Sequence, residues 1–317
     1  MEARVSRLGR ARARAVSPES FRRIAFAALA SLFVVVVTGA IVRLTASGLG
    51  CENWPRCGET PFPEKDFHAL VEFGNRVVAL FAMAATAVAA VAARRVRELP
   101  RWVRGVALAA ALATVAQIPL GGLTVIFELH PLLVMSHFLL ALVGVALAVL
   151  AAVGAHAAAR GFRRERAESP LRWLALALVP VAALVVVTGA FVTAAGPHSG
   201  GEDIRRLGNL LDAAYVHVRA TAVFGIGFAL LVVALHRARS RLSVERGLAM
   251  LVLGLVLVQM AVGELQWRNE LPWWLVLVHV ALATAIWSGI VAIASVLLLR
   301  TGARSTHSAR HARENRV

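Results

Sequence analysis

The sequence predicts an all-α polytopic membrane protein, with eight transmembrane helices arranged as two parallel-repeated four-helix bundles. Three observations carry that expectation. Of the 317 residues, 59% are hydrophobic, and the mean hydropathy is +0.71, outside the range of ordinary soluble domains. Apolar runs of membrane-spanning length recur along the chain with little sequence left over. Segments in the second half repeat motifs of the first.

A bilayer core of about 30 Å needs roughly 17 to 25 apolar residues per helix. Eight stretches meet that need, at about 24–42, 67–93, 104–127, 132–153, 173–193, 213–235, 247–263 and 273–299. None shows β alternation, and in lipid only structures that close their own backbone hydrogen bonds survive, so each is expected to be helical. The first run follows a long Arg-rich tail without a convincing cleavage site, which predicts a retained span.

The charge distribution orients these spans. The formal net charge is +16, which on its own would suggest nucleic acid. Yet 26 of the 34 basic residues fall in the N-terminal tail, the loops near 94–104, 160–172 and 237–246, and the C-terminal tail. The opposite loops hold Arg43, Arg56, Lys65, Arg205, Arg206 and Arg268, while Arg76 and Arg219 fall within helices. This alternation follows the positive-inside rule and predicts both termini in the cytoplasm, with no nucleic-acid partner. The domain expectation is a basic cytoplasmic tail (1–23), an N-terminal four-helix bundle (24–160), a cytoplasmic linker (161–172), a C-terminal four-helix bundle (173–299) and a second basic tail (300–317).

The repeat is visible in the residues. VVVVTGAIVRLTASG of span 1 is echoed by ALVVVTGAFVTAAG of span 5, so that Thr38-Gly39-Ala40 returns as Thr188-Gly189-Ala190, 150 positions later. Gln117 and Gly121 of span 3 return as Gln259 and Gly263 of span 7, 142 positions later. An even number of spans per unit gives both copies the same orientation, unlike the inverted repeats of many transporters.

Four histidines follow this repeat. His137 and His279 are offset by 142, and His68 aligns with His217 at an offset of 149. Ionisable groups inside a membrane carry a cost and tend to mark function. Facing imidazole pairs suit axial ligation of haem iron, whereas zinc or copper asks for a tighter cluster of three or four ligands. The remaining six histidines have no counterpart in the other half. The only cysteines, Cys51 and Cys57 in CENWPRC, fall in the first outside loop. A disulfide is permitted in that oxidising location, and a metal site or two free thiols remain open alternatives.

The stretch HALVEFGNRV sets the two halves apart. His68, Glu72, Asn75 and Arg76 share one helix face by their spacing. At the offset of 149, Glu72 is replaced by Thr221 and Arg76 by Gly225. A glutamate near a helix centre costs roughly 2.5 to 3.5 kcal/mol on insertion scales. Arg76 either pairs with it or binds a haem propionate. Glu72 itself is expected to accept a proton or stabilise a developing positive charge, so one half reads as catalytic and the other as auxiliary.

TGAIVRLTASGLGCENWPRC, followed by HALVEFGNR and the later histidines, resembles the haem A synthase family from about residue 24 to 299. The resemblance implies oxidation of a methyl group of haem O to a formyl group through successive hydroxylations, yielding haem A for terminal oxidases. It implies substrate haem ligands at His68 and His137, a required carboxylate at Glu72, a haem b cofactor between His217 and His279, and a functional pair at Cys51 and Cys57. It further implies sites toward the outer face of the plasma membrane, and partnership with haem O synthase and cytochrome oxidase assembly factors. Some relatives carry a second cysteine pair in the third outside loop, which here reads AAGPHSGGEDIRRLGNLLDA. A di-haem electron carrier linked to quinone would also use four histidines, but it leaves the asymmetry at Glu72 unexplained. A haem transporter would spread its polar groups across both sides of the midplane. Gly- and Ala-lined surfaces admit a homo-oligomer.

Overall fold

A computed structural model of the chain describes residues 15–51, 54–58, 62–63, 65–160, 169–201, 204–238 and 242–299. The expected tails and linker therefore lie largely outside the described residues. Eight helices account for the fold: α1 (Pro18–Leu44), α2 (Phe67–Arg95), α3 (Arg101–Ile126), α4 (Pro131–Arg160), α5 (Ser169–Ala195), α6 (Leu210–Arg237), α7 (Ser243–Arg268) and α8 (Trp273–Leu299). Each is long and apolar enough to cross a membrane, and the chain is a multi-pass membrane protein.

The helices outrun the expected spans by a few residues at most ends, because polar flanks continue the helix where the apolar run has stopped. Capping fixes several starts. Ser17 accepts the backbone N–H of Ser20 at 3.0 Å ahead of Pro18, a residue suited to the first helical turn. Asp66 accepts from His68 N at 2.9 Å and Ala69 N at 3.1 Å, and these backbone donors hold its carboxyl below the usual carboxylate range. Asn209 caps α6 in the same way, through Leu211 N at 2.8 Å and Asp212 N at 3.3 Å.

Packing is cyclic. α1 lies against α2 and α4, and α3 closes the ring against the same two; α5 lies against α6 and α8, with α7 closing the second ring. α8 and α5 join the rings through contacts with α1 and α4. The end of the first ring that holds the start of α1 is filled largely by alanines, including Ala25, Ala92, Ala93, Ala107, Ala151 and Ala152 around Phe21, whose small side chains let the backbones approach closely. The second ring is filled by bulkier residues such as Phe228, Leu231, Ile290 and Leu297. Where the rings meet, Trp287 donates its indole N–H to the carbonyl of Leu142 at 2.9 Å, satisfying a polar group that lipid could not.

The opposite ends are tied as well. Gly48 N donates to Gly200 O at 2.9 Å, the Arg43 guanidinium donates to the carbonyl of Thr193, and buried Leu129 packs against Gly48 and Gly200. Close packing gives a direct test. A Cβ at Gly154 would stand 2.7 Å from Val103 Cγ2 and 2.8 Å from Trp102 Cη2, whereas a Cβ at Gly105 meets nothing within 4 Å. Gly154→Val is expected to destabilise the protein by about 1–3 kcal/mol, read as a lower thermal midpoint in detergent, while Gly105→Ala leaves the midpoint unchanged or slightly raised.

Candidate active site

A cavity of about 500 Å³ lies among α1, α2, α3 and α4 and is bounded on its other side by α5, α8 and the loop after α5; its size is within the range of small-molecule and cofactor sites. Its wall is mainly apolar. The polar groups that reach it include Glu72, Asn75, Arg76, Gln117 and His137, with Arg43 and Arg205 on the side nearest the second ring. Trp54 and Pro55 of the first outer loop also line it. Trp54 lies so close over α3 that a Cβ on Gly122 would stand 2.7 Å from its indole.

Glu72 is the buried charge of the cavity, at 5% exposure. Both of its oxygens are engaged. Oε1 accepts from Arg76 Nη2 at 2.5 Å, and Oε2 accepts the backbone N–H of Cys51 at 2.9 Å. The other arm of Arg76 donates to the carbonyls of Pro55 at 3.1 Å and Arg56 at 3.0 Å. The ion pair expected of Arg76 is present, and the same guanidinium grips the loop that carries the cysteines.

Cys51 and Cys57 form a disulfide, both buried against Ala69 and Phe73. The bridge closes the segment that carries Cys51 N and the carbonyls of Pro55 and Arg56. Just ahead of it, Gly50 runs against the backbone of α2. A Cβ there would collide with the carbonyl of His68 and stand 2.7 Å from Ala69 N, so only glycine lets the loop lie against the helix.

The histidines divide unequally. His137 lines the cavity, its buried Nδ1 has no partner among the described residues, and its ring stands over Gly121, where a Cβ would come within 3.1 Å of Cε1. His279 repeats this arrangement, with an unpartnered Nδ1 and a clearance of 3.4 Å over Gly263. The backbones match as well: Gln117 donates to His137 O at 3.2 Å and Gln259 to His279 O at 3.1 Å. His217 stands over Gly189 at 3.1 Å, with Nδ1 held by Thr188 Oγ1 at 3.1 Å and His279 in electrostatic range.

His68 differs from these three. It is exposed, does not line the cavity, and has its Nδ1 on Ser47 Oγ at 3.0 Å and its ring edge-on to Phe67. The residue of α2 that reaches α1 within the cavity is Asn75, whose Oδ1 accepts from Thr38 Oγ1 at 2.7 Å. The pattern of sequence that could have found Asn75 is its place beside Glu72 and Arg76 on one face, but spacing alone assigned it no partner.

The sequence model of the cytochrome oxidase assembly protein family matches residues 22–197, from α1 through α5. The chain belongs to that family. It is 29% identical over 299 residues to a protein named haem A synthase from Symbiobacterium thermophilum, covering 90% of this chain and 97% of the relative. A haem A synthase from Lysinibacillus sphaericus is 29% identical over 176 residues, 53% of this chain and 56% of the relative. One from Geobacillus kaustophilus is 36% identical over 106 residues, 33% of each. In this member of the family, the matched region contains the disulfide loop, the buried ion pair and most of the residues that line the cavity, the rest coming from the loop after α5 and from α8.

Because a buried carboxylate without its cation is strongly unfavourable, Arg76→Gln is expected to lower stability by on the order of 3 kcal/mol. Glu72→Gln added to that variant removes the stranded charge and should restore part of the loss. Thermal midpoints of the two variants, measured side by side, check this; a double variant less stable than Arg76→Gln alone would contradict it.

Proposed function

We propose that the chain is a haem A synthase, an oxidoreductase that converts a methyl group of haem O into a formyl group through successive hydroxylations. The observation that carries this reading is the buried Glu72 on the wall of a largely apolar cavity that also holds His137, in a membrane protein of this family. The residues present fit an iron macrocycle. The cavity supplies apolar walls, and His137 supplies a buried imidazole whose Nδ1 has no partner among the described residues. A purely electron-carrying protein would need no carboxylate there.

The substrate is assigned to the first ring, with His137 facing it. Glu72 is held at a fixed point on the wall by Arg76 and Cys51 N. From there it stabilises positive charge that develops as electrons leave the substrate methyl group, and accepts a proton in the hydroxylation steps. Trp54 and Pro55 line the cavity on the side of the disulfide loop.

The second ring is assigned a haem b cofactor between His217 and His279. The Thr188 hydroxyl has backbone carbonyls of Leu184 at 2.9 Å and Val185 at 3.0 Å as acceptors. It is thus free to receive the His217 Nδ1 proton, which leaves the Nε2 lone pair for a metal. The cofactor, when bound, supplies electron transfer.

The domain assignment follows: a catalytic ring over 24–160, a cofactor ring over 173–299, and a linker over 161–172. The distribution of basic residues supports a plasma-membrane protein with cytoplasmic termini and sites toward the outer face. Haem O synthase and oxidase assembly factors are the natural partners, since they supply the substrate and use the product. Small-residue surfaces support self-association.

The test is co-expression with a haem O-producing enzyme, followed by extraction and mass detection of haems. A formyl-bearing haem that disappears in Glu72→Ala, with haem content kept, is the expected result; only haem b in the wild-type extract would refute the reading. For the cofactor ring, Thr188→Val is expected to weaken haem b retention roughly 10- to 100-fold, the usual effect of losing a ligand's outer hydrogen bond. Haem content after dilution into detergent measures it.

A further inference from the structure

The two rings do not share one register when α2 is aligned with α6 through His68 and His217. α1 and α5 match at an offset of 150, through Thr38-Gly39 and Thr188-Gly189. α3 (Arg101–Ile126) and α7 (Ser243–Arg268) match end to end at 142, and α4 and α8 match at 142 through His137 and His279. The change of eight is located by the loops. The segment before α2 spans 22 residues (45–66), against 14 (196–209) before α6. The extra residues belong to the CENWPRC loop, which precedes α2. The offset for α2 and α6 is therefore already 142, and Arg95 and Arg237, their last residues, obey it.

At that offset the counterpart of His217 is Asn75, and His68 corresponds to Leu210. Side-chain geometry agrees independently. Thr188 holds His217, and Thr38 holds Asn75. A Cβ on Gly189 would meet His217, and a Cβ on Gly39 would meet Asn75 Oδ1, at 3.9 Å. Asn75 lines the cavity and His68 does not.

We infer that Asn75 occupies the second axial position of the first ring, so that the substrate iron is held by one protein imidazole, that of His137. This rests on the function proposed above. The amide oxygen of Asn75 is engaged by Thr38, so the group facing the iron is an N–H donor, which does not ligate. The face of the macrocycle beside Glu72 thus keeps an exchangeable position, while the cofactor ring is closed by His217 and His279. Asn75 is a positioning residue of the substrate site, and the asymmetry between the rings extends from the carboxylate to the iron itself.

The experiment is spectroscopic and uses the full chain, purified in detergent and loaded with haem b and haem O. Two axial imidazoles make ferric haem low-spin, whereas one imidazole with water or an open face leaves it high-spin. The expected wild-type spectrum has one low-spin and one high-spin haem per chain, by electron paramagnetic resonance, with cyanide converting only the high-spin one. Asn75→His should convert the high-spin haem to low-spin, and His68→Ala should leave both signals unchanged. Two low-spin haems in the wild type, one of them turned high-spin by His68→Ala, would overturn the assignment while leaving the proposed function intact. A chain that retains only one haem when haem O is supplied overturns both. The wild-type spectrum decides without any variant having to fold.

Discussion

The half of the first ring that holds the disulfide loop is organised by one buried charge. Glu72 sits inside a membrane helix with almost no solvent, where an unpaired carboxylate would cost several kcal/mol. The fold answers that demand twice over, with Arg76 one turn away on the same helix and with the backbone N–H of Cys51 from the loop. Each answer recruits more structure. Arg76 draws in the carbonyls of Pro55 and Arg56. The Cys51 contact requires the loop to lie flat on α2, which in turn requires glycine at position 50 and is fixed by the disulfide to Cys57. The covering of the cavity by Trp54 follows from the same docking. A carboxylate placed for chemistry thus also determines where the outer loop sits.

Holding a carboxylate this way has a chemical consequence. A charge pinned at both oxygens cannot reorient as charge develops nearby, so its field is present before the reaction starts. That is the condition under which electrostatic stabilisation is most effective. The corresponding place of the second ring, Ala214 at the offset of 142, carries no ionisable group. The second ring also has the bulkier core. One ring is thus shaped around a cavity and a charge, the other around a bulkier apolar core and two histidines.

Much of the fold was legible because lipid leaves few options. Eight apolar runs gave eight helices, and errors at the ends came from capping residues such as Ser17 and Asn209, which extend a helix into polar sequence. The face shared by Glu72, Asn75 and Arg76 followed from spacing, and all three reach the cavity. What spacing could not supply was the partner of each group. Nothing in HALVEFGNRV says that Arg76 donates to two loop carbonyls, or that Asn75 meets Thr38 on another helix. In the register inferred above, His68 is not the counterpart of His217, for a related reason. Two histidines at nearly the repeat distance invite pairing, yet their offset of 149 fits neither the 150 of α1 with α5 nor its close neighbour by structure, the 142 of the later helices.

That discrepancy of seven residues is the informative one, because seven residues are nearly two full helical turns. A shift of two turns keeps a side chain on the same face while moving it about 10 Å along the axis. His68 and Asn75 therefore look equivalent by periodicity, and only depth separates them. Depth is set by where the loop ends and α2 begins, which Asp66 fixes through its cap on His68 N and Ala69 N. The cap places His68 in the first turn, at the exposed rim beside Ser47, and Asn75 two turns deeper, at the level of Thr38 and the cavity. The longer outer loop of the first ring is what makes the two registers diverge, and the same loop carries the disulfide that covers the site. The insertion that shields the carboxylate is also the one that displaced the repeat, so the two departures of the first ring from the second have a single origin in the chain.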